Sequence, residues 1–342
     1  MGIVLIALRG MAASLVLGVA SPAGAADVPV NLRFSMWVPP AHALTVAAKA
    51  WADDIAKQSG GALTVTVYPS EQLGKAFDHY DMARDGIVDI AYVNPGYQPG
   101  RFPIISIGEI PFTFGDAAKG AQALDSWYRG YAAKEMKDTH FCLAFVHDPG
   151  SLHAKRKITA PADLKGLKVR PAQGTIGQLV KQLGGANVQA SAPEAREVLD
   201  RGVADAITFP WGSLFIFGID KVVKHHIDVA LYTTVFTFSV NTDKYNSLSP
   251  TQRAALDSHC TTEWAVKIAA AWGEFEAAGR EKARNDPSHH FYKLTAEEMA
   301  AWKDAVKPLQ TNWAAAAQKP GIDPVEARKA LDDDIAKFGA AP

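Results

Sequence analysis

Two stretches of strand–helix–strand alternation and one long helical stripe predict an α/β protein of two lobes, with a helix laid across both. The first alternation runs over residues 31–93 and the second over 166–209. Each has the rhythm of a mostly parallel sheet covered by helices on both faces. The stripe runs over residues 249–284, which at 1.5 Å per residue reaches about 50 Å, enough to lie along two small domains. A chain of 342 residues has room for two cores of ordinary size.

In the first lobe Leu32, Phe34 and Met36 alternate as a strand, with Trp37 at its exit. Leu44, Ala47, Ala48, Trp51 and Ile55 form a helical stripe that Ser59-Gly60-Gly61 closes. A strand over 63–68, a helix over about 76–85 ending at Gly86, and a strand over 88–93 follow. The last leaves through Asn94-Pro95-Gly96-Tyr97. Residues 98–115, rich in Pro, Gly and Phe, read as a loop, 117–137 as a helix and 141–146 as a buried strand. His147-Asp148-Pro149-Gly150 marks the first crossing between lobes.

The second lobe repeats the pattern. A strand over 166–170 delivers Arg170 at its carboxyl end against Pro171, a helix over 175–183 stops at Gly184-Gly185, and a short strand covers 187–189. A helix over 193–201 has proline in its first turn, and a strand over 204–209 exits through Pro210-Trp211. Residues 231–240 alternate over a length that returns the chain to the first lobe, with Tyr232, Thr234, Phe236, Phe238 and Val240 on one face. The long helix opens on Ser249-Pro250-Thr251-Gln252, a capping box, and Leu256, Cys260, Trp264, Ile268, Ala271, Phe275 and Gly279 recur along it at steps of three or four. Its mixture of small and aromatic residues is unlike a coiled-coil seam. Two further amphipathic helices, around Trp302 and Trp313, fill residues 295–338.

In an open α/β sheet ligands bind outside the carboxyl ends of the strands. Trp37, Asn94, Tyr97, Arg170, Phe209 and Trp211 all stand at such exits, and Phe236 lies on the returning strand. Facing sheets bring these exits to one cleft, with a guanidinium to grip a carboxylate through two parallel hydrogen bonds and aromatic walls for an apolar body. His153, soon after the first crossing, is a further donor candidate. The histidine doublets His225-His226 and His289-His290 do not read as a metal site, because neighbours in sequence do not face one point. No nucleophile-elbow, zincin, phosphate-loop or dinucleotide spacing occurs, so neither metal nor cofactor is expected, and catalysis is not. A secreted α/β hydrolase, with a dispersed serine triad and Arg170 orienting substrate, is the rival of another class.

The balance of 35 basic and 36 acidic residues supplies no field for nucleic acid. Residues 1–26 read as a signal peptide: Arg9 is the only early charge, 11–20 is apolar, and Ala23-Gly24-Ala25 is a small-x-small cleavage site. Export places Cys142 and Cys260 in an oxidising compartment, where the two are expected to pair as a disulfide.

The order of signal, β-α-β lobe, EQLG at 71–74, Pro111-Phe112, DLKGLKVRP at 163–171, the strand entry Ala204-Asp205-Ala206 and the long helix resembles the solute-binding subunits, DctP-like, of tripartite ATP-independent periplasmic (TRAP) transporters. The resemblance spans nearly all of the mature chain, and DLKGLKVR is its most specific motif. It implies a periplasmic-binding-protein-like fold whose two α/β lobes, joined by crossing strands, close on an organic acid held at Arg170. It also implies a periplasmic monomer that hands its ligand to integral membrane subunits. The lobes are expected to comprise 27–146 with about 235–265, and 147–234 with about 266–342 including the C-terminal helices. Sialic-acid-binding members carry a second arginine and an asparagine where this chain has Gly150 and Phe209, which points away from sugar acids. With one arginine and several aromatic walls, an aromatic monocarboxylate (a hydroxybenzoate, a hydroxycinnamate or an aryl 2-oxo acid) is expected over a four-carbon dicarboxylate or a small 2-oxo acid.

Overall fold

The computed structural model describes Gly2 and residues 27–342; the signal peptide expected over 1–26 lies, Gly2 aside, outside the described residues. The strands, in chain order, are β1 (Val30–Ser35), β2 (Leu63–Tyr68), β3 (Ile90–Val93), β4 (His140–Val146), β5 (Ser151–Ala154), β6 (Lys168–Arg170), β7 (Ala186–Asn187), β8 (Ala206–Phe209), β9 (His225–Ile227), β10 (Val235–Val240) and β11 (His290–Tyr292). They form two sheets, ordered β2-β1-β3-β10-β4 and β11-β9-β5-β8-β6-β7.

Neither sheet is wholly parallel. β1 runs parallel to β2 and β3, and β6 parallel to β7 and β8, as alternation predicts. β10 is antiparallel to β3 and β4, and β5 antiparallel to β8 and β9. The reason is topological: β5 and β10 are the strands that arrive from the other lobe, so they run away from the cleft while the others run toward it. Among the described residues three strands escaped the sequence pattern: β5, β9 and β11, of four, three and three residues.

The helix expected over 249–284 is two, Pro250–Asp257 and Thr262–Arg284. Ser258-His259-Cys260 turns between them, and Thr261 caps the second helix by accepting a hydrogen bond from the Trp264 N–H at 3.3 Å. That interruption re-phases the buried stripe, which runs through Ala265, Ile268, Ala269, Trp272, Glu276, Gly279 and Ala283. The second helix packs on Ala43–Gln58 and Ala117–Tyr128 of the first lobe and on Trp211–Ile216 of the second. Gly212 and Gly279 allow the last contact, since a Cβ on Gly279 would lie 2.1 Å from Gly212 Cα.

The expected helix over 117–137 stops at Tyr128, and a short turn of helix follows at Ala132–Glu135. The C-terminal helices do not all join the second lobe. Ala296–Ala305 does, with Trp302 in that lobe's core. Pro324–Phe338 lies against Ala117–Tyr128 of the first, and Trp127 Nε1 donates to the Ala327 carbonyl at 2.9 Å. Its Ala327, Leu331 and Ile335 stripe fits that helix, whose outer face would otherwise be bare.

Cys142 on β4 is bonded to Cys260 in the helical turn, 118 residues away, as expected from export. Bridging a loop of that length removes chain entropy worth about 4 to 5 kcal/mol from the unfolded state. Reduction is therefore expected to lower the unfolding free energy by several kcal/mol, read as a shifted urea midpoint with and without reductant; titration of two free thiols in the unreduced, unfolded protein contradicts the bridge.

Candidate functional site

The carboxyl ends of β1, β3, β6 and β8 meet between the sheets around a cavity lined from both lobes. Its wall closes on itself. Arg170 Nη2 donates to the Tyr97 hydroxyl at 3.2 Å; the ring of Tyr97 lies 5.9 Å from that of Trp37, Trp37 lies 6.3 Å from Phe236, and Phe236 lies 5.1 Å from Trp272. Trp272 meets His42 at 5.3 Å, His42 meets Phe217 at 6.3 Å, Phe217 meets Phe209 at 5.6 Å, and the Arg170 guanidinium lies 5.5 Å over Phe209. Arg170 and His42 are thus two polar members of one closed, mainly aromatic ring of side chains, with Phe209 and Phe217 between them on the shorter side.

β6 holds Arg170 in place, and the guanidinium is 1% exposed. Nε donates to the Ala190 carbonyl at 2.9 Å, which with the Tyr97 contact leaves Nη1 for a ligand. Among the described residues no carboxylate pairs with it. The Tyr97 oxygen also accepts from the Ala192 N–H at 2.8 Å, so two donors fill its lone pairs and its own hydrogen remains to be donated. Burial raises the titration of that phenol and keeps it protonated. Asn94 caps the turn that carries Tyr97, accepting from the Gly96 N–H at 3.0 Å. Trp37 Nε1 is buried without a partner.

His42 caps its helix: Nδ1 accepts from the Leu44 N–H at 3.1 Å, so Nε2 carries the proton and donates to Ser213 Oγ at 3.1 Å. Ser213 Oγ donates in turn to Glu276 at 2.5 Å. Glu276 also accepts from the N–H groups of Gly212 and Ser213 and from Trp272 Nε1. Burial pushes His42 down to about 3 and His147, also in the wall, down to about 4. The same effect lifts Glu276 to about 7.

Of the side chains expected at the site, Arg170, Trp37, Asn94, Tyr97, Phe209 and Phe236 line the cavity. Trp211 and His153 do not. Pro210 ends the strand and Trp211 begins a helix, so strand alternation stops there and the indole lies on Phe291, with ring centres 5.2 Å apart. His153 is the cross-strand partner of His226, and such partners share a face. Both imidazoles sit behind the wall in a chain that begins at Lys224. Lys224 donates to His289 Nε2, His289 Nδ1 to His226 Nε2, His226 Nδ1 to His153 Nδ1, and His153 Nε2 to the Phe209 carbonyl, at 3.1, 2.7, 2.8 and 2.9 Å. Each ring needs only one proton in that sequence, so His289, His226 and His153 form a structural relay of neutral rings.

His42, His147, Ser213, Phe217, Tyr232, Thr234 and Trp272 also line the cavity and were not singled out. Tyr232 and Thr234 had a signal, since they share the alternating face of Phe236; Trp272 was hidden by the unrecognised helix break.

A two-lobed α/β protein enclosing a small cavity with a buried cation is built to hold a solute. The family model DctP, bacterial extracellular solute-binding protein, family 7, matches residues 34–316, and the chain belongs to that family. It is 26% identical over 312 residues, 88% of this chain and 91% of the other, to the C4-dicarboxylate-binding periplasmic protein DctP of Rhodobacter capsulatus. A 190-residue stretch is 27% identical to the uncharacterized protein y4mM of Sinorhizobium fredii, covering 54% of this chain and 35% of that protein. The fold matches a TRAP solute-binding protein of Rhodoferax ferrireducens in complex with copurified benzoate, with a TM-score of 0.85, 29% identity and coverage of 91% and 98%. It likewise matches a marine-metagenome TRAP solute-binding protein specific for aromatic acid ligands, in complex with 3-hydroxybenzoate, with a TM-score of 0.85, 31% identity and coverage of 91% and 99%.

Burial of neutral groups sets the pH response. His42, His147 and His153, lowered to about 3 to 4 when folded, take up protons near pH 6.5 when unfolded, so stability falls as pH drops below 6.5. Glu276 and Glu109, raised to about 7 and about 8, lose protons near 4.5 when unfolded, so their contribution falls as pH rises above 4.5. Thermal midpoints are expected to peak between about pH 4.5 and 6.5, and Glu109→Gln to flatten the alkaline limb. A midpoint that climbs steadily to pH 9 contradicts this assignment.

Proposed function

We propose that this protein is a periplasmic, monomeric TRAP solute-binding subunit that captures an aromatic monocarboxylate and passes it to the membrane subunits of its transporter. The observation that carries the reading is the buried guanidinium of Arg170, without a carboxylate partner among the described residues, in a closed aromatic wall. A carboxylate there receives Arg170 Nη1 and the Tyr97 hydroxyl, while an aryl ring fills the space between Trp37, Phe209, Phe236 and Trp272. The solved relatives whose ligands are benzoate and 3-hydroxybenzoate support the same class.

The dicarboxylate alternative meets a shortage of cations. Among the described residues Arg170 is the only arginine or lysine in the cavity wall. His153 lies behind that wall, and Lys155 donates to the Leu199 carbonyl. At the position where some relatives hold a second arginine, a Cβ on Gly150 would lie 2.9 Å from the Tyr232 ring. Hydrogen-bond direction at Ser213, a serine in the cavity wall, gives the hydrolase alternative no support. A nucleophilic serine donates to an imidazole that an acid orients, whereas here His42 donates to Ser213 and Ser213 to Glu276.

Truncating one partner of a buried charged pair costs about 2 to 5 kcal/mol, so Arg170→Ala is expected to weaken benzoate binding at least thirtyfold by calorimetry. Arg170→Lys should not restore it, because an ammonium lacks the planar fork. Unchanged affinity in Arg170→Ala removes the central residue. In competition binding to the wild type, benzoate, hydroxybenzoates or mandelate should outcompete succinate and malate; a tenfold preference for either dicarboxylate rejects the aromatic class.

A further inference from the structure

The cavity wall has a second polar group, and its hydrogen bonds have a fixed direction. The backbone N–H of Leu44 obliges His42 to present Nε2–H to Ser213. Glu276, already met by two backbone N–H groups and an indole N–H, draws the Ser213 hydroxyl hydrogen. Ser213 Oγ therefore donates once and accepts once within the protein, which leaves one lone pair. Ser213 is 2% exposed and lines the cavity. Along the wall, His42 lies three contacts from Arg170 through Phe209 and Phe217, and five through Tyr97, Trp37, Phe236 and Trp272. Ser213 Oγ thus belongs to the wall beside His42, and Phe209 and Phe217 stand between that part of the wall and the guanidinium.

We propose that Ser213, oriented by His42 and Glu276, is an acceptor for a hydrogen-bond donor on the ligand's ring remote from its carboxylate, so that the site selects hydroxyaryl acids over unsubstituted and alkyl-substituted ones. The proposal rests on the aromatic-acid reading above and deepens it. An apolar wall alone discriminates weakly between ring substituents, because a hydroxyl and a methyl are close in size. A buried acceptor does discriminate: a phenol gives Ser213 its missing donor, whereas a methyl group in the same place covers the lone pair and leaves it unpaired. His42 and Glu276 act as positioning residues in this scheme, since they fix which way the serine hydroxyl points.

The test compares 3- and 4-hydroxybenzoate with benzoate and with 3- and 4-methylbenzoate by calorimetry on the mature protein. It is run at pH 8.5, above the titration of Glu276 at about 7, where the acceptor direction of Ser213 is set. The better hydroxybenzoate is expected to bind at least tenfold tighter than its methyl counterpart, and in Ser213→Ala that ratio is expected to fall to near one. Equal affinities for hydroxyl and methyl acids in the wild type overturn the subsite without recourse to any variant, and so does a hydroxyl preference that survives in Ser213→Ala. Binding of none of these acids overturns the aromatic-acid reading and the subsite with it, an outcome distinct from ring binding without hydroxyl preference.

Discussion

A buried guanidinium whose bonding partners are all neutral is the constraint on which the rest of this structure depends. Arg170 has exchanged water for a carbonyl, a phenol oxygen and the face of Phe209. None of these cancels its charge, and an uncompensated buried charge is expensive. A carboxylate entering the cavity removes that expense at the point where it is concentrated. The charge also sits on the seam between the lobes: Tyr97 follows β3 of the first sheet, while Ala190, Ala192 and Arg170 belong to the second lobe. Parting the lobes breaks both bonds that the Tyr97 oxygen accepts, so the hydrogen bonding of Arg170 is coupled to the contact between the lobes. A ligand that contacts both sides favours the closed arrangement by its difference in affinity for the two.

The long helix has a different task at each end. At its start Cys260 is bonded to Cys142, and Thr262 donates to Asp125, a buried carboxylate that also accepts from the Ala144 N–H and from Arg129. That end is fixed to the first lobe. Further along, the same helix places Trp272 in the cavity wall and Glu276 beneath Ser213, and at Gly279 it admits the backbone of the second lobe's Trp211–Ile216 helix. The break at 258–261 is what permits both. An unbroken helix would carry Cys260 on the phase of Trp264, which is only half-buried, and would turn Trp272 away from the interior.

The alternation and the strand exits made much of this legible. Arg170, Tyr97, Asn94, Phe209 and Trp37 were readable because a residue at the carboxyl end of a strand is placed by topology before any packing is known. Trp211 misled because one proline converts a strand exit into a helix start. His42 and Ser213 were unreadable: one caps a helix in the first lobe, the other opens a helix in the second, and only the closed lobes bring them to 3.1 Å. Tyr232 lay in plain view on the face of Phe236, and it was passed over because alternation says which side a residue takes and not which cavity that side meets. The mixed direction of the sheets follows from the crossings, which local pattern does not report.

The selectivity proposed for a single carboxylate depends on three wall residues that remain uncharged. Histidine near the ordinary titration point would offer a second cation to a second carboxylate, and two imidazoles line this cavity. Both are denied that role by the backbone. His42 Nδ1 accepts from the Leu44 N–H and His147 Nε2 from the Thr234 N–H, at 3.1 and 3.0 Å. Protonating either ring sets two N–H groups against each other and orphans a buried backbone donor, in addition to the cost of burying the charge. Tyr232 completes the set, its ring standing beside Gly150 where a longer side chain has no room. The cavity therefore carries one positive charge, and a second carboxylate entering it meets aromatic faces and backbone-committed imidazoles in place of a partner.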